Sequence, residues 1–251
     1  NAAASTPASS TPAAPPPPAA PPPPAAPPPE EAEGKDLRSK VIARLKRGEA
    51  LHDLELAGAE LEGVDFSGAL LERRSLSGAK LDRCNFTGAK LTGADMRGVD
   101  LTDANLTGAE LTSANLSRAT LDRARFQDAT LSNADLSVAK GSGASFEGSS
   151  LKGVNLRQAR LPEGVFNSAD LSGANASKAD FSQSTFLKAN LSGASLRDAK
   201  LKQAALAGAN VDRVDMRDAD LTGANVHGVN LAAAKTNGAI LRDLIEEPPP
   251  E

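Results

Sequence analysis

Residues 104–128 read Ala-Asn-Leu-Thr-Gly, Ala-Glu-Leu-Thr-Ser, Ala-Asn-Leu-Ser-Arg, Ala-Thr-Leu-Asp-Arg, Ala-Arg-Phe-Gln-Asp. The period is five, and it matches neither the 3.6-residue helix nor the two-residue strand. A very short extended stretch followed by a turn satisfies it. Ala and the large central residue lie two apart, so an extended backbone points both to one side. The two residues that follow are left to make a corner. The same frame runs without insertion from centre 51 to centre 241, which gives 39 sites. Leu, Phe, Met or Val fills 36 of them, the exceptions being Gly141, Ala176 and Thr236. A period held this strictly signals stacked repeats.

Glycine marks the corner. Of 19 glycines between 51 and 241, 17 fall two residues after a centre. If a β-turn starts at the centre, that is its third position, where a type II turn requires positive φ. The coil size follows from the large side chains. Sorted at a spacing of 20 residues, one column of centres holds Phe66, Phe86, Phe126, Phe146, Phe166 and Phe186, six of the seven phenylalanines. Another holds Leu91, Leu111 and Leu131 among an almost unbroken run of leucines. Four quintets per turn separate the two columns, and these nine residues form the predicted structural core. Stacked at the ~4.8 Å spacing of β-strands, the repeat makes a rod of roughly 45 Å.

These residues resemble the pentapeptide-repeat family, whose motif is Ala-(Asp/Asn)-Leu-x-x. The resemblance implies an all-β fold, a right-handed quadrilateral β-helix of about nine coils with short capping helices. The expected organisation is an Ala/Pro-rich disordered linker over 1–33 and an N-terminal capping helix over 34–50. The pentapeptide-repeat β-helix follows over 51–241, with a C-terminal cap and tail over 242–251. Leu37, Val41, Ile42 and Leu45 share one helical face, and Gly48 supplies a stop. Lys35, Arg38, Lys40, Arg44, Lys46 and Arg47 would form a solvated opposite face. At the far end Ile240, Leu241, Leu244 and Ile245 would fold over the last coil. The proline-rich linker suggests an upstream domain of the same chain as one partner.

Irregular positions are few. Arg74, Ser149, Gly164 and Ser184 occupy small-residue slots, and Pro162-Glu163-Gly164 is expected to disturb a corner. Drift of the repeat explains them, with Arg74 displaced outward or reaching toward the cap. A ligand cavity near Gly141 and Ala176 is the sharper alternative.

No constellation for chemistry emerges. His52 and His227 are far apart along the repeat, and Cys84 sits in an inward slot as a buried, inert thiol. A single cysteine excludes an intrachain disulfide or multi-cysteine metal site. No catalytic, cofactor-binding or metal-binding residues are assigned, and no cofactor is expected. The chain has no apolar run long enough for a membrane helix and no signal-peptide pattern, so membrane partners are not expected and a cytoplasmic location is. The net charge of −4 makes nucleic acid an unfavoured partner.

What remains is a non-enzymatic scaffold or adaptor that binds a protein partner. Some members of the family mimic duplex DNA and protect DNA gyrase, which is the alternative. Between 51 and 241 there are 23 acidic and 21 basic residues, too balanced for the long negative stripes of a mimic. The stretch from Arg38 through Gly68 is also similar to the C-terminal repeat region of bacterial type VI secretion accessory proteins.

Overall fold

Five backbone N–H groups per repeat must find acceptors, and the way they do so builds the fold. In the quintet around Leu106, Ala109 donates to the Leu106 carbonyl at 3.1 Å, which closes the turn. Leu106 and Gly108 donate to Arg125 and Gln127 in the next coil, at 2.6 and 2.9 Å. Asn105 donates to Cys84 in the preceding coil at 2.9 Å. The fifth group, on Thr107, has no backbone acceptor and turns to the Asn105 Oδ1 at 3.2 Å. This explains the Asp or Asn of the motif. Its short side chain completes an Asx-turn that satisfies the one N–H the coil leaves over.

The computed structural model describes residues 29–248. Parallel bridges link residues 20 apart, from Glu60 with Lys80 to Asn225 with Ile245. The chain therefore winds through four short sides per turn. The bridges are single residues separated by turns, because each side is only long enough for one extended step. Of the linker expected over 1–33, residues 1–28 lie outside the described residues, and 29–33 are helical instead.

Positive φ recurs at the third residue of the turns, as the glycines predicted, but glycine is not required there. Arg118, Val138, Gln158 and Lys178 occupy successive corners with φ between 59 and 62°. A left-handed L-residue costs about 1–2 kcal/mol, and the ladder on either side holds each corner in place.

The core is one continuous interior of stacked side-chain columns. Phe66 stacks on Phe86, and Phe126, Phe146, Phe166 and Phe186 form a continuous pile. Ring centroids lie 4.8–5.0 Å apart and planes within 6°. Leu91, Leu111 and Leu131 are likewise fully buried. Phe181 meets Phe166 and Phe186 edge-on at 5.4 Å. It belongs to the same coil as Ala176, so that level gains in one corner the volume it lacks in another.

The N-terminal helix, α1, spans Pro29–Lys46, earlier at both ends than the expected 34–50. Its end is a Schellman motif. Glu49 N–H reaches the Arg44 carbonyl at 2.9 Å, Gly48 N–H reaches Leu45 at 3.0 Å, and Gly48 has φ 67°. Val41 is buried, and Leu37, Ile42 and Leu45 pack partly buried against the core of the first coils. Two cations of the supposedly solvated face work instead as ties. Arg38 donates to the Glu62 carbonyl at 3.0 Å, and Arg44 grips the Asp53 carboxylate through both nitrogens.

The other end departs from expectation. Ile240 and Ile245 do not fold over the last coil; they continue the ladder against Asp220 and Asn225. Ile240, Leu241 and Ile245 remain 41, 40 and 46% exposed. Among the described residues no α-helix closes this end, only a single 3-10 turn at Leu231–Ala233. Leu244 alone of the four packs against the core, and for the others the pairing demand of the backbone outweighs burial.

Candidate interaction surface

The repeat assigns every side chain a direction, so the surface consists of three residues per quintet: two at the turn and one just before the next centre. The irregular positions prove to be repairs of the coil. Arg74 sits in an inward slot next to the first turn, where the His52 and Leu54 carbonyls have no backbone donor. Its guanidinium supplies one to each, bonding His52 O at 2.7 Å and Leu54 O at 2.5 Å, with a longer bond to Leu51 O at 3.4 Å. Ser149 donates to the Phe146 carbonyl at 2.6 Å and so stays buried without penalty. Ser184 accepts from Gly164 N–H and donates to Leu161 O, both at 3.0 Å.

The corner at Pro162 is undisturbed. Proline suits the second position of such a turn, and Gly164 N–H still reaches Leu161 O at 3.3 Å. Gly164 itself makes room for a ring, since a Cβ there would meet Phe166 at 2.8 Å. At Gly141 the neighbouring coil closes in on the missing side chain. A Cβ there would lie 2.5 Å from the Leu121 backbone, so the chain occupies the space a side chain would take.

Chemically active side chains stand alone. Cys84 is buried, donates to Leu61 O at 3.0 Å, and is pushed up to about 12 by burial. His227 holds the Glu246 carbonyl at 2.8 Å near the last coil, while His52 lies on the first turn. No cluster of three metal-ligating side chains occurs among the described residues. No described helix is long and apolar enough to cross a membrane.

Charge, by contrast, is distributed unevenly over the four sides. Several cations are neutralised by local carboxylates. Arg123 binds Asp103 twice at 2.7 Å from one coil to the next, and Lys80 binds Glu60 at 2.5 Å. Arg97 and Arg217 each fold back on the aspartate two residues earlier. The hydrogen bonds from Arg217 hold Asp215 down to about 2. The side that follows centres 116, 136, 156 and 176 is different. It carries Arg118, Lys140, Arg157, Arg160 and Lys178, all exposed and none in an ion pair. The ladder makes them neighbours: Lys140 bridges Arg160, and Val138 N–H bonds Arg157 O at 3.0 Å. From Ser117 to Arg160 the outward positions of this side carry no carboxylate of their own; the nearest are Asp135, whose Oδ1 accepts from Ser137 N–H at 2.8 Å, and Asp180, which bridges Arg160 in the ladder and pairs with Lys200. The sequence contained this pattern, but counting charge along the chain hides it; it appears only when outward positions are sorted by side.

The described fold agrees with the comparisons with known proteins. The profile of the pentapeptide repeat region matches residues 79–156 and 159–236, more than half of the chain. This chain belongs to the pentapeptide-repeat family. A second profile, pentapeptide repeats in eight copies, matches residues 142–175. Among solved structures, this pentapeptide-repeat chain is similar to HetL, a pentapeptide repeat protein involved in heterocyst differentiation regulation from the cyanobacterium Nostoc sp.. Identity is 28% and the TM-score 0.51, covering 82% of this chain and 93% of that one. It is also similar to trypsin-treated QnrB1, a plasmid-mediated fluoroquinolone resistance protein, at 18% identity and TM-score 0.58. That alignment covers 78% of this chain and 87% of QnrB1, and at this identity it shows the fold alone. The shared fold is the right-handed quadrilateral β-helix. No curated protein sequence matches the chain.

Proposed function

We propose that this pentapeptide-repeat protein is a non-enzymatic interaction scaffold that presents its outer sides to a protein partner. One observation carries this reading: all seven phenylalanines and nearly all central leucines lie inside, which leaves a firmly hydrogen-bonded surface of short polar and charged side chains. Such a wall recognises by shape and charge rather than by deep pockets, and a few anchors dominate its affinity. In this reading α1 caps the first coil of a rod of about nine coils. The Ala/Pro-rich segment tethers the rod to an upstream domain and raises the local concentration of whatever that domain holds. A place in a type VI secretion accessory protein is the narrower form of the proposal, supported by the order of basic helix and repeats from Arg38 to Gly68.

Affinity capture with the 251-residue chain tests the scaffold, using a variant with permuted outward residues as control. Specific, saturable enrichment of a protein partner is expected. If both chains capture the same proteins equally, the scaffold reading falls. A gyrase supercoiling assay addresses DNA mimicry, and no inhibition or protection at micromolar protein is expected, because the basic side breaks any continuous negative surface.

A further inference from the structure

We infer that the side carrying Arg118, Lys140, Arg157, Arg160 and Lys178 is a docking surface for an acidic, extended protein segment running along the rod. The inference rests on the scaffold reading and specifies which surface and which partner chemistry it uses. Three observations converge. The cations are unpaired and exposed, whereas Lys80, Arg97, Arg123 and Arg217 on the same or adjoining sides are matched with carboxylates. A shallow open groove on the same corner, lined by Ser77, Arg97, Gly98, Ser117, Arg118, Ser137 and Val138, leads into the cluster at Arg118 and Val138. Between Arg118 and Arg157 stands Val138, 48% exposed with φ 60°. A β-branched residue is an outlier in the left-handed region, and strained, exposed residues of this kind concentrate at binding sites.

Dimensions select an extended occupant. Arg118 to Lys178 spans three coil steps, about 14 Å at the strand spacing, and five extended residues cover nearly the same length. Carboxylates at the first and fifth residues would meet the outer cations, with an aliphatic third residue on Val138. Nucleic acid fits less well. Stacking on aromatic side chains supplies much of single-strand affinity, and every phenylalanine of this chain is buried while Trp and Tyr are absent.

Fluorescence anisotropy with the full chain tests the proposal. The probe is a labelled nine-residue peptide with carboxylates at alternate positions and leucine in the middle. Binding should weaken with added salt, and weaken at least about tenfold in Arg118→Glu/Arg157→Glu/Arg160→Glu. Lys90→Glu/Lys188→Glu, on the opposite side, should bind like the native chain. Circular dichroism confirms that each variant keeps the native spectrum. Loss of a similar size in both variants would show non-specific charge attraction and overturn the site. So would an absence of binding at low salt, or tighter binding to a ten-nucleotide oligothymidylate, which would mark the side as a nucleic-acid surface. A captured partner that stays bound to the triple variant would overturn this surface and leave the scaffold reading intact.

Discussion

At the scale of single residues, the coil separates inward positions that carry stability from outward ones that carry information. Phe126→Ala removes a ring stacked on Phe146 and should cost about 3–5 kcal/mol. Glu147→Ala, at an exposed outward position, should stay within about 0.5 kcal/mol. Denaturant titration of both checks the register, and equal effects would show the columns misplaced. Val138→Gly should stabilise the protein by about 1 kcal/mol, because glycine removes the Cβ strain of the left-handed corner; a rise in Tm is the expected result. The Phe column could be read directly from the sequence because a 20-residue spacing segregates Phe from Leu. Arg74 could not. A charged residue in an inward slot looks like drift until the His52 and Leu54 carbonyls, which have no backbone donor, are seen beside it.

Among the elements, α1 depends on a few ties to the first coil, and one of them titrates. Hydrogen bonds from Arg44 hold the Asp53 carboxyl down to about 2, below the ordinary value of about 3.9. A lowered folded pKa means that the stabilisation is complete above about pH 4 and is lost as pH falls toward 2. The 222 nm dichroism of α1 should therefore fall over that window. In Asp53→Asn the signal should already be weaker at neutral pH and should lose that step, and an unchanged acid profile would show that the tie is irrelevant. The helix itself was legible from Leu37, Val41, Ile42 and Leu45. Its start at Pro29 was not, because residues 29–36, Pro-Glu-Glu-Ala-Glu-Gly-Lys-Asp, hold no large apolar residue that would extend the face of Leu37. At the other terminus, four apolar residues suggested a lid, but their frame is the repeat's own: Ile240 and Ile245 extend the ladder, and only Leu244 packs against the core.

For the whole molecule, nearest-neighbour stacking predicts an unusual response to deletion. Removing residues 127–146 takes out one full turn and sets Phe126 against Phe166, so every column survives. Removing only 127–131 rotates all later columns by a quarter turn and brings Phe146 over a leucine column. The longer deletion should unfold in one cooperative transition. The shorter one should give a broadened or split transition, because a single mismatched interface uncouples two well-packed halves. Guanidinium titrations followed by circular dichroism distinguish the outcomes, and identical m-values would contradict column stacking as the source of cooperativity.

The corner residues with positive φ have a consequence for how such a protein can change. At Gly58, Gly63, Gly88 and Gly108 a Cβ would meet nothing within 4 Å. Each is an empty socket pointing to solvent, and the left-handed corners at Arg118 and Lys178 show that side chains are accepted in equivalent sockets. A mutation there costs about one corner's backbone strain and touches no core packing. New recognition chemistry can thus be added, tested and discarded one socket at a time, with successive sockets on a side fixed one strand spacing apart before any partner exists.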